Sequence, residues 1–141
     1  MADVKIIDHS DEVRRALEAA IARALEVAGG QAESHAKRNL TAAGRVDNDR
    51  LRGSISHEVN EAEQYVVIGT NVEYGKYVEF GTGIHASDGS GRKTPWVYMD
   101  DEGKFHTTRG MKPTHFLRDA LQGHEKEYAA IIEQEIKRAL R

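Results

Sequence analysis

The chain has 141 residues and no cysteine. Disulfide frameworks, thiolate metal sites and thiol catalysis are therefore closed to it, and the composition suits a reducing compartment. Long apolar runs are missing as well. No window approaches the ~20 apolar residues of a membrane-spanning helix, and residues 1–9 offer no apolar stretch behind a basic start. These absences predict a soluble protein made for the cell interior. Neither charge sign dominates, since 20 basic and 23 acidic residues leave a net charge of −3. That balance argues against a general nucleic-acid binder, which would present a strongly basic face. Hydrophobic residues make up 39% of the chain, enough for one modest core and a single domain over residues 1–141, with neighbours available to complete it.

The ends of the chain carry helical patterning. Ser10 followed by Asp11 and Glu12 reads as an N-cap with acids in the first turn. Val13, Ala16, Leu17, Ala20, Ile21, Ala24, Leu25 and Ala28 then recur at three and four, drawing one apolar stripe. Gly29-Gly30 weakens helix propensity by roughly 1 kcal/mol per glycine; the pattern resumes beyond it, and the spacing predicts one helix over 11–40. Near the other end, Thr114 after Pro113 reads as the N-cap of a second long helix over 114–140. Its stripe comprises Phe116, Leu117, Ala120, Leu121, Tyr128, Ile131, Ile132, Ile136 and Leu140.

Between the helices the signals turn to strands. A polar turn over 41–50 leads to two β-prone runs, 54–59 and 65–70, joined by a five-residue hairpin connection, with Val66, Val67 and Ile68 suited to a buried strand. Residues 74–80 mix both periods and read as one helical turn entering a corner at Glu79-Phe80-Gly81, with Tyr74, Tyr77 and Phe80 as core anchors. Residues 81–112 form a long irregular insertion. Within it, 94–99 and 104–108 flank the turn Asp100-Asp101-Glu102-Gly103 and predict a projecting hairpin, with Trp96, Tyr98 and Phe105 exposed or shared with a neighbour. The predicted class is α+β: a small antiparallel β-sheet packed on one face by the long N-terminal and C-terminal helices, with a loop and hairpin insertion.

Several chemical patterns bear on catalysis. Gly89-Ser90-Gly91-Arg92-Lys93-Thr94 resembles a phosphate-binding loop, but Arg92 stands where glycine should precede the lysine and no helical pattern follows. The seven histidines lack i, i+4 pairing; His85, His106 and His115 could converge only through loop folding. Asp100-Asp101 and Glu133 with Glu135 fit solvated faces, and no serine lies in a Gly-x-Ser-x-Gly context. The reading is therefore not an enzyme, with no catalytic, cofactor-binding or metal residues, no cofactor and no small-molecule substrate. Basic groups at Lys37-Arg38, Arg45, Arg50 and Arg52, and at Arg92-Lys93, leave a nucleic-acid-binding module as the alternative, and a small metal-dependent enzyme behind it.

The most specific stretch is Tyr74-Gly75-Lys76-Tyr77-Val78-Glu79-Phe80-Gly81-Thr82-Gly83, together with Pro113-Thr114-His115-Phe116-Leu117 thirty-odd residues later. Over residues 45–121 this pattern resembles a family of small tailed-bacteriophage proteins of lambdoid siphophage type, the minor tail components or neck and tail-completion proteins. The chain departs from it at Val46-Asp47-Asn48-Asp49-Arg50, where an Asp-Thr-Gly turn is common, and at His115, where a second proline is common. Tyr74, Tyr77, Val78, Glu79, Phe80, Gly81, Thr82, Pro113, Phe116 and Leu117 are the residues that match. The resemblance implies a structural virion protein, a subunit of a homo-oligomeric ring at the phage neck or tail terminus that joins head to tail or finishes the tail. It also implies other neck and tail proteins as partners, DNA passing through a channel without specific binding, no membrane, and residence in the virion after assembly in the host cytoplasm. Trp96, Tyr98, Phe105, Arg92 and Lys93 become the candidate interface residues.

Overall fold

The structure, a computed structural model, describes residues 3–44 and 48–141. Residues Asp3 to His9 have no regular secondary structure. Helix α1 spans Ser10–Ala43 without interruption at Gly29-Gly30 and ends on Gly44 in the left-handed conformation. His9 holds the N-cap position, and the carboxylate of Asp8 accepts from the Ser10 backbone N–H at 2.8 Å. A short helix α2, Asn48–Ser54, occupies the end of the predicted polar turn; Arg45, Val46 and Asp47 lie outside the described residues. Strands β1 (Ser56–Asn60) and β2 (Tyr65–Gly69) pair antiparallel with His57 opposite Ile68 and Val59 opposite Val66. Helix α3, Gly75–Phe80, precedes a 3-10 turn at Gly83–His85. Strands β3 (Trp96–Met99) and β4 (Phe105–Thr108) form a second hairpin, and α4 (Phe116–Gln122) and α5 (Glu125–Ala139) close the chain.

The α+β class holds, with four differences in layout. The strands make two separate two-stranded sheets. Helix α1 is the common support, with β1 and β2 packed on it at one level and α4 and α5 along it, so the two long helices do not share one sheet face. The predicted C-terminal helix is divided at Gly123-His124, where glycine has the least helix propensity of the ordinary residues. And β2 is half open: Tyr65 and Val67 face solvent, because a hairpin laid on a single helix has one covered face.

Small residues explain why α1 can serve as a support. Its buried positions are Ala20, Ala24, Leu25, Ala28, Gly29, Ala32, His35, Ala36 and Leu40, a stripe that lets neighbouring backbones approach closely. The closest approach is at Gly29, where an added Cβ would lie 2.7 Å from Val66 Cγ2 and 2.8 Å from the His57 ring. The glycine that weakens the helix is what seats the β1–β2 hairpin on it. The ring of His57 is held there by Glu26, at 2.6 Å from Nε2, and Glu33, at 3.5 Å from Nδ1. The hydrogen bond from Glu26 raises the His57 pKa above its ordinary 6.5, with Glu33 adding to it against partial burial.

The hydrophobic core lies nearer the C-terminal end of α1. Ala36 and Leu40 pack with Leu51 of α2, Ile55, Val72, Val78 of α3, and Phe116 and Ala120 of α4. Phe116, Leu40, Leu51 and Ile55 are the largest fully buried side chains. Leu121 and Leu140, part of the stripe that periodicity predicts to be buried, are exposed, and α5 has no fully buried residue; its inner face is half-covered, mainly by α1.

Candidate functional site

The two halves of the signature form one knot. Helix α3 ends at Gly81, whose N–H donates to Tyr77 O at 2.8 Å. The next free carbonyls, Val78 O and Glu79 O, accept from the N–H groups of Thr114 and His115 at 2.9 and 3.1 Å, and the Thr114 hydroxyl also donates to Val78 O at 2.8 Å. Thr114 is thus a tie to α3; the N-cap of α4 is His115, in the left-handed region at φ 51°. Glu79, only 5% exposed, supplies the cap: its carboxylate accepts from the backbone N–H of Leu117 at 2.8 Å and of Arg118 at 3.1 Å. A carboxylate at a helix N-terminus satisfies orphan donors and opposes the positive end of the dipole. Gly81, at φ 80°, is enclosed by backbone and proline: a Cβ there would fall 2.8 Å from His85 O and 2.9 Å from Met111 O and Pro113 Cδ. Thr82 fastens the base of the insertion, its N–H donating to Met111 O and its hydroxyl accepting from Met111 N, both at 2.9 Å.

Two of the expected anchors behave differently. Val78 and Phe116 are buried, and Tyr74 and Leu117 pack at the edge of the core, but Tyr77 and Phe80 are exposed. One turn of helix cannot bury all of its faces, and the buried face of α3 carries Gly75, Val78 and Glu79. Tyr77 and Phe80 line an open groove of roughly 900 Å³ between α3 and the insertion, closed on the far side by Arg92 and Trp96. Cations stand over both aromatic walls: Lys76 Nζ lies 5.0 Å from the Tyr77 ring centre and the Arg92 guanidinium 5.8 Å from that of Trp96.

The hairpin itself is well built and poorly covered. Asp100 closes its turn by accepting from the N–H groups of Glu102 and Lys104, at 2.9 and 2.8 Å. His106 lies 2.6 Å from the same carboxyl group, and this hydrogen bond, the largest of several, holds the Asp100 pKa below the ordinary carboxylate value. The Tyr98 ring stacks on His106 at 5.3 Å. Phe105 is 74% exposed and Met99 and Val97 about as open, at 61% and 60%. Lys93 is exposed beside Arg92 in the preceding loop.

The histidines that come together are not those the loops suggested. His85 lies in the 3-10 turn, His106 on Asp100 and His115 beside Glu79. Instead His35 of α1 and His124 of the α4–α5 junction stack with ring centres 3.5 Å apart and planes 7° from parallel. Glu127 lies 3.0 Å from His35 Nε2 and 3.4 Å from His124 Nδ1. Among the described residues this is the one group of such side chains close enough to hold a metal ion. Parallel rings direct their lone pairs in parallel planes, so one ion at ~2.1 Å from both nitrogens would require the stack to open. As they stand, the three side chains clasp α5 to α1.

The Gly89–Thr94 run is irregular and leads into β3, not a helix. Lys37 and Arg52, part of the basic set, are paired within their own segments, with Glu33 and Asp49.

The signature residues thus knot a small α+β scaffold together, while an apolar hairpin and an aromatic groove stay open. Residues 5–81, more than half of the chain, match the family described as "Bacteriophage HK97-gp10, putative tail-component". The chain belongs to this HK97 gp10-like family and is a bacteriophage tail component, a structural protein of the virion that contacts other phage proteins. No curated protein and no solved structure matches it. The matched span ends at the Gly81 corner, whereas the sequence resemblance runs on through Pro113-Leu117, which the knot joins to α3. No helix among the described residues is long and apolar enough to cross a membrane.

Proposed function

We propose that this tail component is a subunit of a homo-oligomeric ring at the phage neck or tail terminus, acting in head–tail joining or tail completion. The observation that carries the reading is the hairpin: Val97, Tyr98, Met99 and Phe105 are exposed on a two-stranded ribbon, too small to shelter its own apolar surface, and its base is fastened to the scaffold at Thr82 and Met111. A rigidly rooted, uncovered apolar ribbon is suited to docking on an adjacent subunit or ring. In a cyclic assembly each copy presents two different surfaces, and closure buries what the monomer leaves open. The net charge of −3 agrees with a lumen that lets DNA pass without gripping it. Trp96, Tyr98, Phe105, Arg92 and Lys93 are the proposed interface; the bases of the nucleic-acid alternative are in part spent on local ion pairs.

The test is complementation of a phage or prophage lacking this gene with the Phe105→Ala, Val97→Ala double variant. Separate heads and tails, counted by electron microscopy, should accumulate in place of joined particles. Joined particles at the wild-type yield would refute the assignment.

A further inference from the structure

The two most exposed large apolar side chains among the described residues are Val4 and Ile6, at 88% and 90%. They sit in the segment Asp3 to His9, which has no regular structure, with Ile7 also exposed. An arm bound in extended form puts side chains two apart on the same side, so Val4 and Ile6 would present one apolar edge, flanked by Asp3 and Asp8 with Lys5 between them. The aromatic groove has matching properties. Its walls are Tyr77, Phe80 and Trp96, and its charges are Lys76 and Arg92 against Asp88. The arm therefore carries two acids and one base where the groove carries two bases and one acid.

The arm cannot reach the groove of its own chain. The groove flanks Val78, which packs in the core against Ala36 and Leu40. Twenty-six residues of α1 separate Ser10 from Ala36, about 39 Å along the helix at about 1.5 Å per residue. From Ser10, Ile6 extends at most ~14 Å and Asp3 at most ~25 Å.

From exposure, charge and reach together, we infer that the N-terminal arm, residues 3–9, docks in the aromatic groove of a second copy of this chain. Val4 and Ile6 lie against Tyr77, Phe80 and Trp96, and Asp3 and Asp8 lie near Lys76 and Arg92. The contact is head to tail, one surface of each copy meeting a different surface of the next, the type that closes into a ring when the rotation permits. It deepens the ring reading and rests on it in requiring that copies of the chain meet.

The test uses two full-length variants: Ile6→Asp, with a spoiled arm and an intact groove, and Phe80→Asp, with the reverse. Both positions are exposed, so folding is preserved, which circular dichroism verifies. Masses come from sedimentation equilibrium, and the emission of Trp96, the single tryptophan, reports on the groove. Each variant alone should associate at least tenfold more weakly than wild type. A one-to-one mixture should form a heterodimer, with the blue shift of Trp96 emission that wild type shows on association. Association of the Ile6→Asp chain at wild-type strength, or a mixture no heavier than its components, would overturn the inference. If Ile6→Asp assembles normally while Phe105→Ala does not, the arm contact falls and the ring reading stands. If the mixture forms its heterodimer but wild type grows into open chains without a fixed mass, the arm contact stands and the ring reading falls.

Discussion

Gly29 and Gly30 are adjacent in one helix and should respond to alanine with opposite signs. Alanine in a helix interior is favoured over glycine by about 0.8–1 kcal/mol, and at Gly30 nothing offsets that gain, because the nearest atom to the new Cβ is His57 Cε1 at 3.9 Å. Gly30→Ala should therefore stabilise by about 0.5–1 kcal/mol. At Gly29 the Cβ would stand 2.7 Å from Val66 Cγ2 and 2.8 Å from His57 Cδ2, well inside van der Waals contact. Neither neighbour yields easily: Val66 is β-branched and held in the ladder opposite Val59, and the His57 ring lies between Glu26 and Glu33. Overpacking of this kind costs ~1–3 kcal/mol. Set against the helix gain, it leaves Gly29→Ala destabilising by up to roughly 2 kcal/mol. Urea unfolding followed by far-UV circular dichroism measures both. A shift of the same sign for the two variants would refute close packing of the β1–β2 hairpin on α1.

Other outcomes follow from single contacts. Glu79→Ala should cost about 1–3 kcal/mol by leaving the Leu117 and Arg118 amides without an acceptor; Glu79→Gln should not restore the full amount, since one oxygen becomes a donor facing a donor, and urea midpoints decide it. Because the His57 pKa is raised in the folded chain, the native state binds its proton more tightly than the unfolded one. That stabilisation is complete below the ordinary value of 6.5 and is lost as pH rises through the folded value. Comparing melting curves on either side of that range with those of Glu26→Gln checks this, because the variant should lose most of the difference. Tyr128→Phe removes the hydroxyl that donates to Ala120 O across the α4–α5 junction and should cost about 1 kcal/mol in the same urea assay.

What was legible in the sequence follows from which physical signal each element carries. The α1 stripe is long enough that two glycines do not erase it, and the Asp100–Gly103 turn chemistry marks its hairpin directly. The break at Gly123-His124 was hidden because the apolar spacing runs through it with little loss of phase. Helix α2 begins in Asn and Asp, which also favour turns, and only Leu51, now fully buried, marks its inner side. The sequence places Glu79 in a corner; a carboxylate among Tyr77, Val78 and Phe80 is a signal for a buried cap, but its partners lie nearly forty residues away. His35 and Glu127 are ninety-two residues apart, and the available clue was that His35 continues the buried spacing of Ala28 and Ala32. Tyr77 and Phe80 read as core residues because large aromatics usually are; their exposure is what opens the groove.

The most direct measurement is the mass of the wild-type chain in solution across a wide concentration series, by sedimentation or native mass spectrometry, repeated with Phe105→Ala. A ring subunit gives one closed oligomer whose mass stays constant once formed and which the substitution dissociates. A chain that stays monomeric at every concentration, or that grows without limit, would contradict the ring.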